Sequence, residues 1–489
     1  MKICLISPYE SAAVYGLRIL SAVLKQDGHS VEMLFLPLDF RDRIPLKALE
    51  QTIDHALSSE LVGLSLSSNY MQMSIDLTRA IKERNKDALV IWGGIHPTID
   101  PLECLQYCDI ACVGEAEEAL RELAQKMEAG LPFTDTLNFH FRTKKGNIIA
   151  NPVRLLNPHL DAIPFPDYSN QGHFMLHEGE IVPVTPEILN GNLQGQYLTL
   201  TSRGCMHSCT FCCNNFLKNL YKHSKFLRFR SVSNIIEECV WVKNNLPWVR
   251  EILFDDDAFM ARSRQELEVF GREWSEKVGI PFFVTGITPA TLNEEKLFIL
   301  LQAGLRRLRL GIQTASDRVN YEIYKRPIPH TKALEALEII ERHKDQLLRH
   351  HYDIIVDNPW ETDEENLETL RFLLKIPRPW AINICSLTYF PGTELFKRAK
   401  TEGIVTDNFR DIYNKSYKTY RSTYINRLFY FFCQSQLPVW VLGLFVNKWI
   451  LSFRLHYPLW GLYIAGRNTK QVLRNIKARG KKILGKTAQ

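Results

Sequence analysis

The chain has 489 residues, 45% of them apolar and 23% charged, a balance that allows two or three complete cores and excludes an extended or low-complexity polymer. Its formal charge of +6 averages unlike parts, because no acidic residue follows Asp411 and the 14 Lys and Arg beyond it set +14 in the tail against −8 in the rest. Eleven cysteines without regular spacing, and no amino-terminal leader pattern, exclude a disulfide-stapled secreted domain and predict reduced thiols in a cytoplasm.

Apolar runs at 2–7, 30–36, 61–66, 88–92 and 109–113 read as strands, and helical periodicity at 15–26, 46–57, 71–84 and 116–129 fills the intervals. Five strands alternating with helices predict an all-parallel sheet covered on both faces, a Rossmann or flavodoxin-like domain over 1–130. Ligands of such sheets bind outside the carboxyl ends of the strands. There, Ser67-Ser68-Asn69 follows the third strand, Gly93-Gly94-Ile95-His96-Pro97 the fourth and Gly114-Glu115 the fifth. Paired glycines let a large flat ligand approach the backbone. Taken alone, Gly93-Gly94 is an ordinary strand-to-helix turn, and His96 before Pro97 reads as a pocket residue rather than a metal ligand.

Residues 131–195 change in character. Runs at 136–142 and 148–156 flank Lys145-Gly146-Asn147 and predict a hairpin, while Pro164-Phe165-Pro166-Asp167 predicts an extended linker separating two cores. Over 196–400, strands at 197–202, 251–254, 281–284, 308–313, 351–356 and 381–387 alternate with helices at 232–245, 264–277, 294–303, 332–343 and 363–374. This is the pattern of a partial (β/α)6 barrel of the TIM type, whose active site gathers at the carboxyl mouth.

The first loop at that mouth reads Cys205-Met206-His207-Ser208-Cys209-Thr210-Phe211-Cys212. Three thiolates at this spacing hold three irons of a cubane and leave the fourth open, whereas an electron-transfer cluster takes four. A structural zinc site wants a second C-x2-C pair, which the sequence lacks, and Cys213 is too close to Cys212 to share the cluster with it. Cys4, Cys104, Cys108, Cys112, Cys239, Cys385 and Cys433 read as small buried hydrophobes.

In this order the motifs resemble the cobalamin-binding radical S-adenosylmethionine (SAM) enzymes over about residues 1 to 395. The resemblance implies a 4Fe-4S cluster on Cys205, Cys209 and Cys212, SAM on the open iron, and cobalamin over the loops holding Ser67, Ser68, Gly93, Gly94, His96, Gly114 and Glu115. Phe211 matches an aromatic beside the adenine, Asp255 and Asp256 match groups near the amino end or ribose of SAM, and Gln313 stands where the family has a glutamate against the adenosine. Ala116 replaces a frequent glycine, and no Asp-x-His-x-x-Gly segment offers cobalt a lower ligand. The implied chemistry is hydrogen abstraction by a 5′-deoxyadenosyl radical and methyl transfer to an unactivated carbon, with electrons from a flavodoxin or ferredoxin. The expected substrate is hydrophobic or lipid-like. A radical cyclase or rearrangement enzyme with the same cofactors, and a non-catalytic cobalamin-binding sensor, are the alternatives.

Residues 401–489 predict a helical, basic region. The segment 428–447 is uncharged and aromatic, but Gln434-Ser435-Gln436 and Pro438 interrupt it too often for a membrane span. Trp440, Trp449, Tyr457, Trp460 and Tyr463, followed by cations at 467–486, predict a cap over the barrel mouth whose outer face rests on anionic lipid at the inner side of the membrane. The alternative is a helical subdomain with a solvated tail. No nucleic-acid recognition module accompanies the charge.

Overall fold

The computed structural model describes residues 1–376, 380–434 and 438–446. Strands β1 (Lys2–Ser7), β2 (Ser30–Phe35), β3 (Leu61–Ser65), β4 (Val90–Gly93) and β5 (Ile110–Cys112) are parallel and lie in the order β5-β4-β3-β1-β2. Ile3 and Leu5 enter the core on one face while Cys4 and Ile6 enter the core on the other, so β1 is apolar throughout rather than alternating. Helices Tyr15–Gln26, Leu46–Leu57, Met71–Arg84 and Glu117–Glu128 connect the strands. Chain order reverses between β1 and β3, which makes their carboxyl ends the switch point of the sheet.

The sheet is not all-parallel. The hairpin of β6 (Phe139–Arg142) and β7 (Ile148–Ala150) runs antiparallel on β5, and β8 (His173–His177) joins β2 before β9 (Glu180–Pro183) folds back on it, for nine strands in all. Short antiparallel hairpins finish both edges. The β8–β9 pair has only the short apolar runs Phe174-Met175-Leu176 and Ile181-Val182, and its clearest sequence signal is the turn, Glu178-Gly179, where both residues have positive φ (50° and 89°).

The proline-rich segment fastens the two halves instead of separating them. Arg18 is buried with its guanidinium carbon 3.8 Å from the Tyr168 ring centroid, and it donates to the Asp167 carbonyl at 2.6 Å. The Asp167 carboxylate accepts from Ser21 (2.6 Å) and His173 (3.0 Å) and pairs with Lys25 (2.7 Å). Against the cost of burial, these contacts hold its carboxyl well below the ordinary range. One buried cluster thus runs from Ile3 and Leu5 through Tyr168 and Tyr197 to Ile252 and Leu308.

The second sheet begins at β10 (Gln196–Thr199). β11 (Ser202–Arg203) and β12 (Arg228–Phe229) pair antiparallel at the base of the cysteine loop. β13 (Glu251–Phe254), β14 (Phe282–Ile287), β15 (Leu305–Gln313), β16 (Arg349–Val356) and β17 (Trp380–Ser386) then follow β10 in chain order, all parallel. The apolar run 197–202 divides into β10 and β11 because Thr201 and Ser202 turn onto Asp256. Helices Val232–Asn245, Arg264–Glu273, Glu294–Ala303, His330–His343 and Asp363–Leu373 cover one face, where Phe254, Leu308, Leu310, Tyr352 and Ile354 are buried. Ser263 with Glu266 and Thr362 with Glu365 form capping boxes that fix two of these helix starts. The alternate residues, among them Arg307, Arg309, His351, Asp353, Asn383 and Cys385, form the concave wall and are half-buried. Cys385 on this wall and Cys433 on the later helix Tyr424–Gln434 are half-buried, unlike the core cysteines Cys4, Cys104, Cys108, Cys112 and Cys239.

Beyond helix Glu394–Thr401, a strap over 409–421 leads to helices Tyr424–Gln434 and Val439–Leu444. No described helix is long and apolar enough to cross a membrane. Trp449, Tyr457, Trp460, Tyr463 and the cations at 467–486 lie outside the described residues.

Candidate functional site

Gly204 stands at φ +92°, with the position of a Cβ only 2.4 Å from the Phe226 carbonyl oxygen, so only glycine turns the chain into the cysteine loop. Cys205, Cys209 and Cys212 are all half-buried along that loop. Thr210 fastens its far side, donating from N to Tyr324 O (3.0 Å) and from Oγ1 to Ile323 O (2.6 Å). Phe211 packs edge-on against Tyr324 with ring centroids 4.9 Å apart. Burial raises the Cys205 thiol and pushes Cys209 up to about 12, so these donors stay protonated until a cation arrives. Cys212, the N-cap of helix Cys213–Leu220, is lowered by its contact with the Cys213 thiol and by the Asn214 N–H. Among the described residues no three His, Cys, Asp or Glu side chains converge on one point as ligands of a single ion do. The corner irons of a cubane sit apart, so three soft donors spread along one loop fit that group.

The three aspartates after β13 have different fates. Asp256 is buried and accepts from Thr201 N (2.8 Å), Thr201 Oγ1 (2.8 Å), Ser202 N (2.6 Å) and Ser202 Oγ (2.8 Å). Its carboxylate is consumed in holding the stem of the cysteine loop and does not face the mouth, which departs from the expectation of a SAM contact. Burial pushes its pKa up to about 6. Asp255 and Asp257 are exposed, and Asp255 accepts from Thr285 Oγ1 at 3.0 Å. Gln313 ends β15 at φ 72°, half-buried. Beside it lies Arg326, a residue the sequence did not single out. It is 3% exposed, donates to Gly311 O (2.6 Å) and Ile312 O (3.1 Å), and places its charge next to Cys205 and Cys209.

Between the first sheet and its flanking helices Tyr15–Gln26 and Glu117–Glu128 lies a cavity of about 380 Å³, lined by Leu5, Gly63, Gly93, Gly94, Gly114 and, from the second half of the chain, Arg203. Gly94 is at φ +96°, and a Cβ there would lie 2.8 Å from Leu66 O. A backbone and aliphatic floor at the switch point fits the bulky, mostly uncharged body of cobalamin. Of the expected cobalamin contacts, Gly93, Gly94, Gly114 and Glu115 line this cavity, but Ser67, Ser68 and His96 do not. His96 is fully buried, bonded through Nδ1 to Ser68 Oγ (2.9 Å), with Glu103 3.5 Å from Nε2 and the Tyr413 ring centroid 5.2 Å away. Ser67 and Ser65 instead meet the hydroxyl of Tyr9 at the end of β1.

Glu115 does double duty. Its carboxylate pairs with Arg203 (3.2 Å) and with Arg228, while Glu117 takes the other Arg203 nitrogen at 2.6 Å. Arg203 lies two residues before Cys205, so the loop that borders the cavity also braces the cysteine loop. Sequence reading missed this lock because Arg203 and Glu117 are 86 residues apart, and Arg228 and Glu115 are 113 apart.

The strap joins the same two regions from the opposite side. Asn69 Nδ2 donates to Lys415 O (2.7 Å), and Lys415 Nζ donates to Leu387 O (2.7 Å) beyond β17. Asp357, at φ 64° after β16, accepts from Ser386 Oγ (2.6 Å), Arg421 N (3.0 Å) and Asn426 Nδ2 (2.6 Å).

Residues 1–124 match the B12 binding domain family and residues 199–373 match the Radical SAM superfamily. The chain is 25% identical over 427 residues to the uncharacterized methyltransferase PH0819 of Pyrococcus horikoshii, covering 84% of this chain and 86% of that one. It is 22% identical over 375 residues to the anaerobic magnesium-protoporphyrin IX monomethyl ester cyclase of Synechocystis, covering 75% and 68%. Among solved structures, the radical SAM methyltransferase TsrM of Kitasatospora setae, with cobalamin and a 4Fe-4S cluster bound, superposes with a TM-score of 0.61 at 15% identity, over 82% of this chain and 75% of that one.

Proposed function

We propose that this chain, which carries a B12 binding domain and a Radical SAM domain, is a cobalamin-dependent radical SAM enzyme that methylates an unactivated carbon of a small molecule held against the concave wall of β13–β17. The observation that carries the proposal is the salt-bridge lock. Arg203, Glu115 and Glu117 fix a three-cysteine loop directly beside a glycine-floored cavity, so the residues that would hold the two cofactors are braced together. When bound, the cluster, SAM and cobalamin supply reductive cleavage, hydrogen abstraction and a methyl group.

The chain's own side chains bind, orient and shield. Cys205, Cys209 and Cys212 hold the cluster; Phe211, Asp255 and Gln313 border SAM; Gly93, Gly94 and Gly114 admit cobalamin. Asp256 is a positioning residue for the loop. The strap closes one side of the mouth against water. An apolar or lipid-like substrate gains no support from the concave wall, which carries Arg307, Arg309, His351 and Asp353. Contact with anionic lipid is supported by the exposed Val439, Trp440 and Leu444 on the last described helix and by the cationic sequence after it. Electrons come from a flavodoxin or ferredoxin in this reading.

Reconstitution under anaerobic conditions with iron, sulfide and hydroxocobalamin, then incubation with methyl-labelled SAM, a reductant and cell extract, tests it. Label in a product, with both 5′-deoxyadenosine and S-adenosylhomocysteine formed, is the expected result. The similarity to a cyclase over 75% of the chain favours the second reading, a ring closure without methyl transfer, which yields 5′-deoxyadenosine and no labelled product.

A further inference from the structure

The concave wall holds charges that neither the cluster loop nor the cavity uses. At its floor Arg307 is fully engaged, bonded to Glu251 at 2.7 Å and lying 4.4 Å from the Phe283 centroid. Arg309, one pleat higher, is not. Its Nε alone donates to both oxygens of Asp353, at 2.9 and 2.8 Å, and Asn383 donates to the same carboxylate at 2.8 Å. These bonds fix the guanidinium while its two terminal nitrogens have no hydrogen-bond partner among the described residues. With the side chain 39% exposed on the wall facing away from the helices, that free edge opens into the barrel. Two parallel N–H groups in a fixed plane match a carboxylate or a phosphate.

The strap adds a second cation. Ser386 N donates to Tyr417 O at 2.7 Å, which sets Lys418 beside Cys385, two residues beyond Asn383 on the same face of β17. Arg309 and Lys418 both act on the Cys385 thiol. Among the described residues Lys418 and Arg421 pair with no carboxylate, and no acidic residue follows them in the sequence. Of the acids at the mouth, Asp255 is tied to Thr285 on the β13–β14 side, while on the strap side Asp357 is occupied by Ser386, Asn426 and the Arg421 backbone, and Asp353 by Arg309 and Asn383. On the side of β17 and the strap Arg309, Lys415, Lys418 and Arg421 outnumber Asp353 and Asp357, which leaves that side positive, whereas the exposed Asp255 and Asp257 lie toward β13.

We infer that the substrate is an anion, a carboxylate or phosphate ester whose acidic group seats between the free edge of Arg309 and Lys418, beside Cys385, and whose reacting carbon extends from there toward the cysteine loop. This assignment rests on the methyltransferase reading and adds the substrate class to it. SAM carries a carboxylate and cobalamin a phosphodiester, so the test separates those sources from the substrate.

Cys385 serves as the reporter, in holoenzyme carrying cluster and cobalamin, before and after saturation with SAM. Iodoacetate is an anion and iodoacetamide its neutral isostere, and each alkylates the thiolate sulfur with loss of iodide. Peptide mass spectrometry reads both rates at Cys385, normalised to the same pair of rates for glutathione. The expected result is a preference for iodoacetate of at least about tenfold, competed by inorganic phosphate and lost in both Arg309→Gln and Lys418→Gln. Lys418 is exposed, so its substitution leaves the fold intact and keeps the test valid if Arg309→Gln fails to fold. A ratio equal to that of glutathione, or a preference that survives both substitutions, overturns the inference. So does a preference seen in cofactor-free protein that disappears when cobalamin or SAM is added, because the anion is then the cofactor's own. Alkylation needs no methyl transfer, so a preference that stands while no methylated product forms sinks the methyltransferase reading and leaves the anion site.

Discussion

Gly114 follows β5 at φ +86°, and a Cβ there would lie 1.8 Å from Tyr221 Oη and 2.9 Å from its Cζ. Gly114→Ala therefore carries a left-handed backbone cost of about 1–2 kcal/mol. It also expels the Tyr221 ring, and with it the bond that Glu115 N–H donates to Tyr221 Oη at 2.8 Å. Stranding that donor adds about 1–3 kcal/mol. The sum, about 2–5 kcal/mol, is a large part of a typical domain's stability. Urea unfolding of the wild type, Gly114→Ala, Tyr221→Phe and the double variant closes a cycle. Tyr221→Phe alone strands the same Glu115 N–H and is expected to cost about 1–3 kcal/mol. In the Phe background that bond and the colliding oxygen are already gone, so alanine is expected to cost about 1–3 kcal/mol less than it does beside tyrosine. Additivity within about 0.5 kcal/mol would refute the contact as drawn.

Alanine at Cys205, Cys209 or Cys212 is expected to abolish the iron–sulfur absorbance and SAM cleavage together; retention of either in any one variant removes that residue from the cluster. Asp255→Ala is expected to weaken SAM binding about tenfold or more with little change in stability, while Asp256→Ala lowers stability by about 3–5 kcal/mol, read by equilibrium dialysis and urea unfolding. For Asp256 the folded pKa of about 6 lies above the ordinary 3.8, so its contribution is intact below pH 3.8 and is lost as pH rises through 6, by about 3 kcal/mol in all. Asp256→Asn is expected to flatten the fall in stability between pH 4 and 7, and an unchanged slope would locate that dependence elsewhere. Gly94→Ala, whose Cβ presses on Leu66 O at 2.8 Å, is expected to lower hydroxocobalamin retention more than cluster content; equal losses would signal general misfolding.

What the sequence revealed was what local pattern encodes. The alternation of apolar runs and helical periods placed β1 to β5 and the six main strands of the second sheet within a few residues, because each is a contiguous segment buried on at least one face. That Cys205, Cys209 and Cys212 share one loop was legible because their spacing is local. Contacts made at a distance were not. Asp256 looked like a cofactor contact until Thr201 and Ser202, more than 50 residues earlier in the chain, took its carboxylate. His96 looked like a pocket residue until Ser68, Glu103 and Tyr413 enclosed it. Pro164-Phe165-Pro166 reads as extended backbone, but extension does not distinguish a tether from a buried clasp, and Arg18, through Asp167 and Tyr168, makes this segment the latter.

The unbroken interior that runs from Ile3 and Leu5 to Ile252 and Leu308 bears on how such an enzyme sets its geometry. Lobes joined by a wet, polar seam rock against each other, whereas lobes sharing one packed interior do not. The spacing between the glycine-floored cavity and the cysteine loop is accordingly a built-in dimension, set by side-chain volumes at the seam and adjustable by single methylene changes at positions such as Tyr168 or Tyr197. Motion needed to admit and release substrate falls instead to residues 414–421 of the strap, which polar bonds hold beyond Ile412 and Tyr413 at its buried end.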